Sequence, residues 1–193
     1  HPTPGTRITG ERNRWRRWVV EIGQLRVSPD PAPTRTWMFP EPLGRQEMVL
    51  LPLSEIIAIA HHLRCEEVHS YMNLAPLRDI RDPHTPPPVA VDDSGRSTQT
   101  FTVDVRVYRR GRMRRATAHG KDIYAVSAPL IVEALGRVMA GEVSGTGSLS
   151  AGQAFDAKNF LTALSPEHLC FLAGHEEDDD RGRGLRHAVG GRR

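Results

Sequence analysis

The sequence predicts an α+β fold: a mixed, largely antiparallel open sheet with helices on one face. Three observations lead there. Residues 100–108 alternate, with Phe101, Val103, Val105 and Val107 on one side and Thr102, Asp104, Arg106 and Tyr108 on the other, the signature of a half-buried strand. Residues 54–63 and 122–141 instead space their apolar side chains at the helical period. The elements follow one another as β-β-(β)-α-β-β-β-α-α-β, in which strands mostly succeed strands, as in α+β folds.

Taken in order, residues 1–14 are polar and punctuated by Gly and Pro, and read as a linker or the end of a preceding element. Trp18 to Val27 gives a strand, a tight turn at Gly23-Gln24 and a second strand. Pro29, Pro31, Pro33, Pro40 and Pro42 then mark an extended loop, followed by a short strand at Val49-Leu50-Leu51. Ser54 reads as the cap of a helix with Ile56, Ile59, Ala60 and Leu63 on its apolar side. Glu67 to Leu74 returns to strand, and Asp79 to Arg96 reads as a long loop because Pro86-Pro87-Pro88 forbids a regular ladder.

Arg110-Gly111-Arg112 turns the chain after the alternating strand, and Met113 to Gly120 returns as its partner. A helix is expected from Asp122, with Pro129 imposing a kink or a late start and Gly141 ending it. Asp156 caps a further short helix, and His168 to Ala173 reads as a last strand. One domain over 15–173 is therefore expected, ahead of a disordered tail over 174–193, rich in acids, Arg and Gly and poor in apolar residues.

Composition narrows the function classes. A chain of 193 residues with 38% hydrophobic content supports a modest core, and no apolar run approaches the length of a membrane span. The net charge is only +3, aromatics are 6%, and Lys121 and Lys158 are the only lysines among 26 basic residues. Two Arg clusters, one around Arg16 and one at the tip formed by Arg109 to Arg115, read as solvated surface, not as a nucleic-acid footprint. Cys65 and Cys170 lie far apart and read as reduced thiols, which points to the cytoplasm. Neither nucleic acid nor membrane is expected as a partner.

Several chemical patterns invite a site. His61, Cys65 and His69 recur every four residues, but the helical period fades after Leu63, so no metal is expected there. Ser54 and Ser127 lack the Gly-x-Ser-x-Gly context of a nucleophile. The stretch His119 to Tyr124 carries more weight, because His119, Lys121, Asp122 and Tyr124 gather polar groups at a helix entrance suited to an anionic or carbonyl ligand. The plain alternative is a capped helix start, with Asp122 as the cap.

The run Gly120 to Pro129 with Val132-Glu133 resembles actinobacterial-type saccharopine-dehydrogenase-like NAD(P)-binding oxidoreductases. So do Pro4-Gly5-Thr6-Arg7, Leu53-Ser54-Glu55-Ile56 with His62-Leu63-Arg64, Tyr71 to Leu77, Ser94 to Ser97, and Phe155-Asp156-Ala157. The resemblance implies the C-terminal substrate-binding and dimerisation domain of such an enzyme. The Gly-x-Gly-x-x-Gly dinucleotide loop does not occur after any strand, so NAD(P) belongs to a longer parent and none is expected on the isolated chain. Lys121, Asp122 and Tyr124 are the expected cofactor-side contacts, Tyr71, Asn73 and Arg96 the substrate-side ones, and a homodimer and a small-molecule substrate the expected partners. The rival reading is a non-catalytic self-association module derived from the same family.

Overall fold

The computed structural model describes residues 1–13, 15–91 and 93–178. Arg14, Asp92 and the part of the expected tail beyond 178 lie outside the described residues. The class is α+β, but the expected single sheet is replaced by three separate three-stranded sheets, and every strand pairing among the described residues is antiparallel. Proline-rich connections supply the physical reason: they remove ladder donors between strand pairs and leave each pair to close its own small sheet. The chain divides into two compact units, the first formed by residues 1–91 and 142–157, the second by 93–141 and 158–178.

In the first unit, β1 (Trp18–Glu21) and β2 (Gln24–Val27) form a hairpin. Ile22 and Gly23 both have positive φ, at 52° and 68°, the primed turn that matches strand twist. The turn therefore sits one residue earlier than expected. β1 also pairs with β5 (Glu67–Val68). β3 (Thr34–Met38), β4 (Arg45–Leu50) and β6 (Tyr71–Asn73) make the second sheet in the order β3-β4-β6. β3 lies inside the stretch expected to be loop: Pro33 and Pro40 bracket six proline-free residues, two of them Thr and one Trp, which favour a pleated surface.

The helices of this unit are α1 (Pro4–Arg12), α2 (Ser54–His62), α3 (Leu74–Arg81) and α5 (Ala151–Ala154). α1 replaces the expected linker: Pro4 stands at its first position, where no N–H is needed, and the Thr3 hydroxyl accepts from Thr6 N–H at 3.2 Å. Arg7 ties α1 down through the carbonyls of Ile80 and Thr85, both at 2.8 Å. α2 starts at Ser54 itself, with Leu53 as the cap residue and the Glu55 carboxylate on Leu53 N–H at 2.9 Å. Val19, Val20, Met48, Leu50, Pro52 and Ile56 form the buried interior.

The second unit is built on β7 (Thr100–Arg109), β8 (Arg112–Lys121) and β9 (Cys170–Asp178), in that order across the sheet. Arg110 and Gly111, at φ 53° and 74°, make a two-residue primed turn between β7 and β8. β9 runs on to Asp178, into the segment expected to be tail. α4 (Ser127–Met139) begins five residues after Asp122, so Pro129 falls in its first turn, the late start of the two expected outcomes. α6 (Ala157–Ala163) completes the unit. Its core is Val126, Leu164 and Leu169, surrounded by Phe101, Leu130, Phe160, Leu161 and Phe171.

Gly120 permits that core. It pairs with Phe101 across the ladder, and a Cβ there would stand 2.8 Å from the Phe101 ring and 3.3 Å from the His168 carbonyl oxygen. Gly120→Ala is therefore expected to destabilise the chain by about 1–3 kcal/mol through overpacking. Adding Phe101→Leu should recover part of that loss, as read from denaturant midpoints. A single variant as stable as the parent would contradict the close approach.

Candidate functional site

Asp122 is the most constrained polar residue of the second unit. Its backbone lies in the left-handed region at φ 54°, which Asp tolerates better than most residues. Its N–H donates to the Gln99 carbonyl at 2.7 Å, closing the end of the β7–β8 ladder. The carboxylate is buried and accepts three backbone donors: Ser97 N–H at 2.8 Å on one oxygen, Tyr124 N–H at 3.0 Å and Ala125 N–H at 3.1 Å on the other. Its carbonyl accepts Val126 N–H at 3.1 Å, so one residue caps the turn that leads into α4.

Burial alone would raise the Asp122 carboxyl. The backbone N–H groups of Ser97, Ala125 and Tyr124, with the Ser97 hydroxyl, outweigh it and hold the group below its ordinary value of 3.8. The structure thus joins Arg96, Lys121, Asp122 and Tyr124 in one neighbourhood of the second unit, through the Ser97–Asp122 contact. Within it, Asp122 works as a structural cap: its oxygens are turned to the chain's own backbone. Lys121 and Tyr124 are exposed beside it, and Arg96 N–H rests on the Ser94 hydroxyl at 3.4 Å.

Tyr71 and Asn73 belong to the first unit. Tyr71 joins an aromatic group that the sequence reading did not assemble, because it needs the β3-β4-β6 pairing: Trp37 lies 6.3 Å from the Tyr71 ring and Phe39 6.5 Å from Trp37. The Arg35 guanidinium stands 5.1 Å from both the Trp37 and Tyr71 centroids, a cation held over two ring faces. His69 approaches Tyr71 at 6.3 Å and the Glu21 carboxylate at 3.6 Å. Asn73 faces Met48 across the ladder and stands at the start of α3. A cleft of about 370 Å³ in the same unit is lined by Val20, Leu25, Ala60 and Leu63, with Arg64, Cys65 and Glu66. α2 ends at His62, so His61, Cys65 and His69 share no helix face.

The second unit also carries an exposed apolar surface. Of the stripe Ile123, Val126, Leu130, Ala134 and Val138 expected over 122–141, Val126 is buried just ahead of α4, Leu130 packs beside it and Ala134 is partly shielded, while Ile123 and Val138 are exposed. Ile131, Val132, Leu135, Val138 and Met139 point outward, Leu135 at 56% and Met139 at 81% exposure. On β7, Val103, Val105 and Val107 are about half exposed. The periodicity signalled both faces correctly; what covers them is not encoded in it.

The Asp122 cap makes a pH-dependent prediction. A carboxyl with a depressed folded-state value contributes stability above its unfolded value near 3.8, and that contribution is lost as pH falls through the folded value. Asp122→Ala is expected to lose about 2–4 kcal/mol at pH 7, through one buried and two part-buried donors left without their acceptor and a strained positive φ. Asp122→Asn should lose less, and its deficit against the parent should shrink at pH 3. A deficit equal at both pH values, measured by denaturant unfolding, would refute the charged cap. Comparison of the chain with family models, with curated proteins and with solved structures finds no match, and the functional reading is built on its own geometry.

Proposed function

We propose that this chain works as a self-associating domain, pairing with a second copy through the outer face of α4. One observation carries the reading: five large apolar side chains lie on one side of a 13-residue helix with solvent in front of them. Monomeric proteins seldom leave contiguous apolar patches beyond a few hundred Å², and such patches mark contacts. Ile131, Leu135 and Val138 follow i, i+4, i+7, and Val132 and Met139 follow i, i+7, the spacing of a helix–helix seam. Gly136 lies among them, and beyond its own stretch of helix nothing approaches within 4 Å of the space its Cβ would take, a gap that admits a facing side chain.

The occupant is argued from charge. α4 contains one acid and one base, Glu133 and Arg137, and they bond each other at 2.7 Å. Arg137 is further held over the Phe160 ring at 5.3 Å. A second α4 laid against the first meets an apolar stripe without like-charge repulsion, and burying each Leu, Ile or Val side chain there contributes up to about 1.5–3 kcal/mol. The resemblance to saccharopine-dehydrogenase-like enzymes supplies a setting: the domain would bind substrate and pair subunits in an NAD(P)-dependent oxidoreductase whose dinucleotide is gripped elsewhere. The antiparallel sheets favour that division of labour, since dinucleotide folds are built on parallel strands.

Leu135→Glu places a charge in the stripe at an exposed position and is expected to halve the sedimenting mass with an unchanged circular dichroism spectrum. Equal masses for parent and variant would overturn the α4 contact. The enzyme setting has a separate test: the isolated chain is expected to leave NADH and NADPH fluorescence unaltered. Micromolar binding by these residues alone would contradict it.

A further inference from the structure

The β3-β4-β6 sheet gathers one cation, two rings and an amide on a single face. The register sets Arg35 beside Met48, Met48 beside Asn73 and Leu50 beside Tyr71, and alternation adds Trp37 to the same side. Met48 and Leu50 are buried, Trp37, Tyr71 and Asn73 are half-buried, and Arg35 is exposed. The Arg35 guanidinium stands 5.1 Å from each of the Trp37 and Tyr71 centroids, which are themselves 6.3 Å apart, and so caps the seam between the rings. We infer that this face binds the oxyanion of a small molecule, a carboxylate or a phosphate, with Arg35 as the principal contact.

Charge decides the class of ligand. Two ring faces set this close would suit an ammonium group from solution, but the chain's own cation already fills that place. What the face offers outward is the guanidinium. A guanidinium resting on rings keeps its N–H fork for two oxygens of one acid group. Among the described residues Arg35 has these ring contacts and no acid partner. The acids of neighbouring strands are engaged elsewhere. Glu47 pairs with Thr36 on the opposite face, accepting its hydroxyl at 2.8 Å, and Glu21 holds His69 at 3.6 Å.

Two further donors stand beside the guanidinium. Asn73 occupies the cap position of α3, yet its side chain makes no bond to that helix, which leaves the amide available on the row that begins with Arg35. The Tyr71 hydroxyl has no hydrogen bond among the described residues. Guanidinium, amide and hydroxyl together supply N–H and O–H groups with no carboxylate to compete for them. The row from Arg35 to Asn73 crosses two strand spacings, about 10 Å, the scale of a small molecule. Arg45 lies on the other face, with Glu47, so a single cation serves this one. A polyanionic strand would call for several.

Every group of this site belongs to the first unit, and the α4 contact belongs to the second, so either stands if the other fails. The test titrates the full chain separately with sodium benzoate and inorganic phosphate at constant ionic strength, by isothermal titration calorimetry. One saturable site of about millimolar affinity is expected with at least one of them, and the tighter of the two assigns the acid group. Tetramethylammonium chloride is expected to give no saturable heat.

Arg35→Gln is expected to weaken binding about tenfold or more. Arg35→Lys should lose nearly as much, because it keeps the charge and loses the fork. Asn73→Ala should show a smaller loss. Circular dichroism and denaturant midpoints of each variant separate lost binding from lost fold, and the lysine variant carries the test where the glutamine variant unfolds. Absence of saturable binding by both anions, parental affinity in either Arg35 variant, or saturable binding of tetramethylammonium would overturn the inference.

Discussion

The Asp122 carboxylate is the constraint on which the second unit depends. Three backbone donors from two stretches of chain, 97 and 124–125, converge on one buried side chain. Without that acceptor, the buried Ser97 N–H would be left with no partner, a penalty of about 1–3 kcal/mol, and the part-buried Tyr124 and Ala125 N–H groups would lose theirs as well. The same residue closes the β7–β8 ladder and turns the chain toward α4. The position of α4, and with it the apolar face it shows to solvent, follows from how this one group is satisfied.

The unit is unevenly covered as a result. Phe101, with Val126, Leu164 and Leu169, fills the end of the sheet beside Asp122, and Gly120 on β8 leaves room for the Phe101 ring to reach across from β7. Toward the hairpin tip the same face carries valines and alanines with less above them. A single residue on one strand face, Phe101, is part of the core while its neighbours at 103, 105 and 107 are surface. Local alternation is identical along the strand; only the reach of α4 and α6 distinguishes the two ends.

Much of the secondary structure was legible in the residues. The β7–β8 hairpin was readable because alternation and an Arg-Gly turn agree, and α2 because its helical period is unbroken. α1 was hidden by its polar composition, although Thr3-Pro4 is a start signal. β3 was hidden by the prolines that bracket it. α3 and α4 both carry a proline at their third position, Pro76 and Pro129, where helices tolerate one, and a proline there reads in sequence as a break. The single-sheet expectation failed because short strands between prolines do not say which strands they will join.

The sites were less legible than the elements. Lys121, Asp122 and Tyr124 were singled out as one group and Arg96 as part of another, and their meeting depends on a Ser97–Asp122 bond across 25 positions. Asp122 was weighed as a cap as well as a contact, because the residue type at a helix entrance serves either role, and its carboxylate caps the turn that leads into α4. The Arg35, Trp37 and Tyr71 group had no sequence signal at all, since it exists only once β3 and β6 flank β4.

The two free thiols fall one to each compact unit: Cys65, partly shielded, in the first and Cys170, exposed, in the second. The unaltered polypeptide thus carries a matched pair of attachment points for nitroxide or dye labels. Pulsed dipolar spectroscopy between them would return the distribution of separations between the halves without any engineered handle.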